Sequence, residues 1–218
     1  MPERFVPYIY SADELQRLIN PVSPERIGFR KLQPHTLRAV LLLLYGAGLR
    51  VGEAVALTLQ DVDLDAAVIT IRDTKFHKTR LVPVGLKLSR ALAQYAAQRK
   101  DAGHSQSSDA AFFVLRRGAP VSGHIVREAF TRLRKYAGVG RADGARYQPR
   151  LHDMRHSFVV RRLTSWYEQG ADVQKLLPQL ATYVSIAATQ VYLTMTPELL
   201  HAASVRFERY ALPEAYRD

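Results

Sequence analysis

Two short β-branched runs, Ala67-Val-Ile-Thr-Ile-Arg72 and Arg80-Leu-Val-Pro-Val84, stand alone in a chain whose other apolar residues recur at helical spacing. So little strand cannot enclose a core by itself, so helices must build most of it. The link from Asp73 to Thr79 is polar and basic, and the pair reads as a hairpin with a lysine-rich tip. Pro83 has no N–H for a sheet ladder and places the second run at an edge. Elsewhere, Ser11-Ala-Asp-Glu14 is a capping box that predicts a helix from about Ala12. Pro21, Pro24 and Pro34 mark a loop. Leu37, Val40, Leu41, Leu44 and Tyr45 then form a helical stripe, and Gly46 and Gly48 loosen the chain before a second helix near Val51. Leu86 to Arg99, Ser122 to Tyr136, Arg155 to Glu168 and Ala171 to Leu177 also read as helices. The expected class is mainly α with a small antiparallel sheet.

Charge narrows the function. The 218 residues carry 31 Lys plus Arg against 20 Asp plus Glu, a net charge of +11, and no cysteine. Disulfide scaffolds, thiolate metal sites and cysteine nucleophiles are excluded. At 47% hydrophobic residues the chain can build a core, and its length suits one large domain. The start, Met1-Pro-Glu-Arg-Phe-Val-Pro7, does not resemble a secretory signal. The longest apolar stretch, Ala39 to Leu49, is about half of the ~20 residues that span a bilayer. A cytoplasmic protein without a membrane partner is expected. Surplus positive charge points first to nucleic acid, with ribosomal association, membrane-surface binding or simple solubility as alternatives. Between Arg116 and Arg162, twelve Lys or Arg face three acidic residues, so this stretch holds nine of the eleven net charges. Within it, Ile125, Ala129, Phe130 and Leu133 make one helix face, while Arg127, Arg134 and Lys135 fall largely elsewhere. That outer face suits a DNA groove, or is an ordinary solvated surface.

Four separated pieces need a common explanation. Gly48-Leu-Arg50-Val-Gly-Glu53 puts an arginine at a helix start, one turn before a carboxylate. Lys75 sits at the hairpin tip. Leu151-His152-Asp-Met-Arg155-His156-Ser157 spaces His152 and Arg155 to share a helix face, and Thr189-Gln-Val-Tyr192 ends in a tyrosine. Each alone is commonplace. In this order they resemble the catalytic domain of the tyrosine recombinases, or phage-integrase family, from about Tyr10 to Tyr210. The resemblance implies a mainly α fold with a small three-stranded antiparallel sheet (α+β). Residues 1–10 become a lead-in, 11–212 the catalytic domain, and the family's N-terminal core-binding domain is absent. It also implies catalytic roles for Arg50, Lys75, His152, Arg155 and Tyr192, with Glu53 at the family's acidic position. Lys78-Thr-Arg80-Leu-Val-Pro83 anchors the hairpin match, and Lys78 in the same hairpin is a candidate DNA contact beside Arg127, Arg134 and Lys135.

The chemistry accounts for these residue types. Cutting and resealing DNA without ATP stores the phosphodiester energy in a covalent bond, and a tyrosine phenolate forms a reversible phosphotyrosine. Tyr192 is the expected nucleophile, His152 its general base, and Arg50 and Arg155 the clamps for non-bridging oxygens that gain charge in the transition state. Lys75 is suited to protonate the departing 5′ oxygen. The scheme uses no metal and no cofactor. Its partners are duplex DNA and, as the family implies, further copies of the chain in a tetramer on DNA, which places the protein at the nucleoid.

The chain departs from the family where a Leu-Gly-His usually lies nine residues before the nucleophile. That position is Tyr183, within Leu180-Ala-Thr-Tyr183-Val184, which resembles the Leu-Ala-Thr-Tyr-Leu-Gly-His-Val of some family members with three residues missing. Tyr183 is either a substitute donor or a rival nucleophile, and His156 a neighbour of the site. Loss of one preorganised donor costs on the order of 3 kcal/mol in transition-state stabilisation, about a hundredfold in rate. Two alternatives to recombination or integration therefore stand: a non-catalytic DNA-binding remnant or regulator, and a type IB topoisomerase-like relaxation of DNA.

Overall fold

Ser11 accepts a hydrogen bond from the Glu14 N–H, and Glu14 accepts one from the Ser11 N–H; this reciprocal cap opens α1 (Ala12–Ile19). A computed structural model describes residues 7–21, 27, 31–72, 79–142 and 147–183. After α1 come α2 (Pro34–Gly46), α3 (Val51–Val55), a 3-10 turn at Leu59–Asp61, and the strands β1 (Val62–Asp63), β2 (Val68–Ile71) and β3 (Arg80–Pro83). Four longer helices follow: α4 (Leu86–Asp101), α5 (Gly123–Tyr136), α6 (Asp153–Glu168) and α7 (Val173–Tyr183). The mainly helical architecture with one small sheet is as expected.

Helix α2 is the central element. Pro34 occupies its first turn, where a missing N–H is harmless. Leu37, Ala39, Val40, Leu41, Leu43 and Leu44 are all buried, because α2 packs against α1, α3, α4, α5 and α6. The apolar surface is thus wider than the predicted stripe, as a helix covered on most sides requires. Tyr45 differs from that stripe: it is half-buried, with the Arg161 guanidinium over its ring.

The sheet is antiparallel in the order β1-β2-β3, so β3 is an edge strand, as Pro83 predicts. Ile69 lies opposite Val82 and Ile71 opposite Arg80. Ile69, Ile71 and Val82 are buried, while Leu81 is 62% exposed. The two-residue period therefore turns Arg80 inward with Val82.

Two boundaries and one buried face differ from expectation. Helix α6 starts two residues before Arg155, at Asp153. Helix α7 runs through Pro178 to Tyr183 rather than stopping at Leu177. An interior proline costs about 3 kcal/mol. Opposing that cost, Val173 and Leu180 bury against Phe158, Val159, Val160 and Leu163 of α6, with Leu177 packed beside them. In α5 the buried face is Val126, Ala129, Phe130 and Leu133; Ala129, Phe130 and Leu133 are as expected, while Val126 is buried in place of Ile125, which is only half-buried. Among the described residues, no helix is long and apolar enough to cross a membrane.

Candidate active site

Glu53 gathers three arginines from three elements. At the third position of α3 its carboxylate reaches back to the helix entry, where Oε2 accepts from the Arg50 N–H at 2.8 Å and Oε1 from Arg50 Nη1 at 2.9 Å. From β3, Arg80 Nη2 donates to Oε2 at 2.8 Å. From α6, Arg155 Nη1 lies 3.9 Å from the same oxygen. Burial alone would raise the Glu53 carboxyl, but the bonds from Arg80 and from the Arg50 backbone and side chain outweigh it, so the group is held below the usual glutamate value. One negative charge thus meets three permanently positive ones. The cluster keeps a surplus positive charge, the electrostatic requirement for holding a phosphate.

Arg155 is only 4% exposed, and its Nη1 also donates to the Gly48 carbonyl. That carbonyl belongs to the turn joining α2 to α3, so the same turn positions Arg50 and receives Arg155. Gly48 has φ of +62°, and a Cβ there would lie 2.5 Å from Phe158 Cδ1. Only glycine fits both restrictions.

His152 caps α6, and the Arg155 N–H donates to its carbonyl at 3.1 Å. Part of the residue is open to solvent, yet desolvation of the ring lowers its pKa. Arg155, Arg150 and Arg50 push in the same direction and Asp153 opposes them. The imidazole is therefore neutral at pH 7 and able to accept a proton. The His156 ring stands edge-on to it, with centroids 4.8 Å apart. Burial, followed by the electrostatic influence of the neighbouring His152, Arg150 and Arg155, takes His156 down to about 3. It too is neutral, so its 3.8 Å approach to Asp153 is no ion pair.

The turn before α6 is held from a distance. The Tyr10 N–H donates to Ser157 Oγ at 2.8 Å, and Ser157 Oγ donates to the Asp153 carbonyl at 2.9 Å. Tyr10 Oη donates to the Arg150 carbonyl at 2.9 Å, and the Arg150 N–H donates to Asp153 Oδ2 at 2.7 Å. Arg72 and Arg80, at the ends of β2 and β3, are each tied by an ion pair. Arg72 Nε pairs with Asp61 Oδ1 at 2.5 Å, and Arg80 pairs with Glu53.

The structure therefore brings together Arg50, Glu53, His152, Arg155 and His156. Lys75, Lys78 and Tyr192 lie outside the described residues, and Tyr183 is the last residue of α7. Arg127 and Lys135 are exposed on α5. Arg134 is half-buried, its Nη1 donating to the Val139 carbonyl at 2.8 Å beyond the helix end. Sequence reasoning missed Arg80, although its parity with buried Val82 was a usable signal. It also missed Tyr10 and Ser157, 147 residues apart, which carry no local signal.

The sequence model of the phage integrase family matches residues 10–198. The chain belongs to the phage integrase family. Among integrase-family relatives, y4rB of Sinorhizobium fredii is 41% identical over 213 residues, covering 95% of this chain and 68% of its own length. A second protein of that organism, y4rE, is 41% identical over 203 residues, covering 92% of this chain and 64% of its own length. The tyrosine recombinase XerA of Thermococcus kodakarensis is 30% identical over 204 residues, covering 92% and 62%. The chain thus spans about two thirds of the length of these relatives. A crystal structure of XerA recombinase superposes with a TM-score of 0.67 at 25% identity, covering 95% of this chain and 66% of that one. The Tn1549 transposon integrase in complex with transposon right end DNA shares the fold, with a TM-score of 0.65 at 19% identity over 96% of this chain and 67% of that one. The structural neighbours are tyrosine recombinase catalytic domains, and this chain shares their fold, here mostly helical with one small sheet.

Proposed function

We propose that this chain cleaves and rejoins duplex DNA through a 3′-phosphotyrosyl intermediate, in site-specific recombination or integration, with residues 11–212 as the catalytic unit. The observation that carries the proposal is the meeting of Arg50 and Arg155 around Glu53, beside a neutral His152. Two guanidinium forks offer bidentate donors to a scissile phosphate, and neither can lose its charge. Tyr192 Oη attacks the phosphorus and its proton passes to His152. The bond from phosphorus to the 5′ oxygen breaks, and that oxygen takes a proton from Lys75. Reversal by a DNA 5′ hydroxyl reseals the strand. Structural neighbours captured on DNA, including the Tn1549 integrase, support DNA as the partner. In this reading Arg127, Lys135, Arg134 and Lys78 contact the duplex. Further copies of the chain would complete a tetramer, working in the cytoplasm on DNA.

The test is a duplex nicked beside the scissile position, so that the cleaved strand diffuses away and traps the intermediate. A denaturation-resistant protein–DNA adduct is expected from the wild type and from Tyr183→Phe, and none from Tyr192→Phe. Adduct lost only in Tyr183→Phe would move the nucleophile to Tyr183. DNA binding without any adduct would replace the enzyme with a binding protein, and supercoil relaxation without recombinant products would make it topoisomerase-like.

A further inference from the structure

We infer that Arg80 is a positioning residue for the guanidinium pair: by occupying Glu53 from the sheet side, it keeps Arg155 on the Gly48 carbonyl and out of a closed ion pair with Glu53. The inference rests on the function proposed above and adds a residue to which that function gives no role.

The argument is one of acceptor capacity. A carboxylate oxygen offers about two lone-pair directions. Glu53 Oε2 already receives the Arg50 N–H at 2.8 Å and Arg80 Nη2 at 2.8 Å. Arg155 Nη1, 3.9 Å away, is beyond hydrogen-bond reach and donates instead to the Gly48 carbonyl. With Arg80 removed, one direction on Oε2 falls vacant and the charge on Glu53 loses a partner. Among the described residues, the further cation within reach of Oε2 is Arg155, and the cost of an under-satisfied, largely buried carboxylate draws it inward. A guanidinium closed onto Glu53 is no longer poised for a phosphate.

The geometry also explains why the device is an arginine on this strand. Position 80 faces inward beside Val82, and the Arg80 side chain is 20% exposed, so its charge is shielded from water and strongly felt at Glu53. Among the described residues Arg80 Nε is buried without a hydrogen-bond partner, and the side chain's contact with Glu53 is the bond from Nη2.

The experiment compares wild type, Arg80→Met, Glu53→Gln and the double variant in single-turnover adduct formation on the nicked duplex, with thermal unfolding as the check on folding. Arg80→Met is expected to slow adduct formation at saturating DNA by about tenfold or more, while the DNA concentration for half-saturation changes less than about threefold. Arg80→Lys should recover a large part of the rate. Because Arg80 acts through Glu53, the double variant should be no slower than Glu53→Gln alone. Independent losses that multiply in the double variant, or an unchanged rate in Arg80→Met, would overturn the inference. Should Arg80→Met not fold, Arg80→Gln, which keeps an amide donor without the charge, carries the same comparison. A second readout needs no DNA chemistry: carbon-13 NMR titration of the Glu53 carboxyl. Among the described residues the facing charges are Arg50 at the entry to α3, Arg80 from β3 and Arg155 from α6, so removing Arg80 should move the Glu53 titration to higher pH. An unmoved Glu53 overturns the inference. A moved Glu53 with no adduct from the wild type leaves the coupling standing and defeats the proposed reaction instead.

Discussion

Gly48 concentrates several demands in one residue. Its φ of +62° lies in the left-handed region, its missing Cβ makes room for Phe158, and its carbonyl holds Arg155. A side chain there pays for the left-handed backbone, about 1–2 kcal/mol, and for overpacking against Phe158, about 1–3 kcal/mol. Gly48→Ala is therefore expected to lower unfolding stability by about 2–5 kcal/mol in denaturant titration. Adding Phe158→Leu should return only part of the loss, because it relieves the clash and leaves the backbone strain. Full recovery in the double variant would show that backbone conformation contributes nothing at this position. The residues that chemistry and spacing single out in the sequence, Arg50, Glu53, His152 and Arg155, lie together in the structure. Residue-level reading stopped short of Gly48, whose role depends on Phe158, a residue distant in sequence and placed only by packing.

Helix α6 presents both His152 and Arg155, and its first turn is fastened to the lead-in by Tyr10 and Ser157. Ser157 is fully buried and serves both as acceptor for Tyr10 and as donor to the Asp153 carbonyl. Ser157→Ala strands the Tyr10 N–H, at a cost of about 1–3 kcal/mol for an unsatisfied buried donor. Hydrogen exchange should then quicken at the Tyr10 amide and at residues 150–155, while α4 and its packing stay protected. Uniform quickening across the molecule would mean that the strap serves global stability alone. Elements were legible in proportion to how local their causes are. The capping box of α1, the proline opening α2 and the β-branched runs of the sheet all act within a few residues, and the sequence shows them. The passage of α7 through Pro178 and the burial of Val126 in place of Ile125 on α5 follow from packing against other elements, where tertiary packing overrides local preference.

At the scale of the molecule, the question is how the net charge of +11 meets DNA. Arg116, Arg117, Arg127, Arg132, Lys135, Arg150, Arg161 and Arg162 are exposed, whereas Arg155 is buried at the site. The basic stretch thus divides into an outer set suited to the DNA backbone and an inner arginine suited to one phosphate. If the proposed function holds, the outer set should dominate affinity and make it salt-dependent, because each phosphate neutralised releases counterions. With about six contacts, affinity should fall roughly a thousandfold between ~50 and ~200 mM salt. Arg127→Ala, on the exposed side of α5, should weaken binding to unrelated duplexes by similar factors and reduce the salt slope by about one. Arg155→Ala should leave that slope nearly intact while abolishing the adduct, since its guanidinium is enclosed beside Gly48 and Glu53. Fluorescence anisotropy across a salt series measures both slopes. Equal slope losses in the two variants would mean that the buried and exposed arginines do not divide the work in this way.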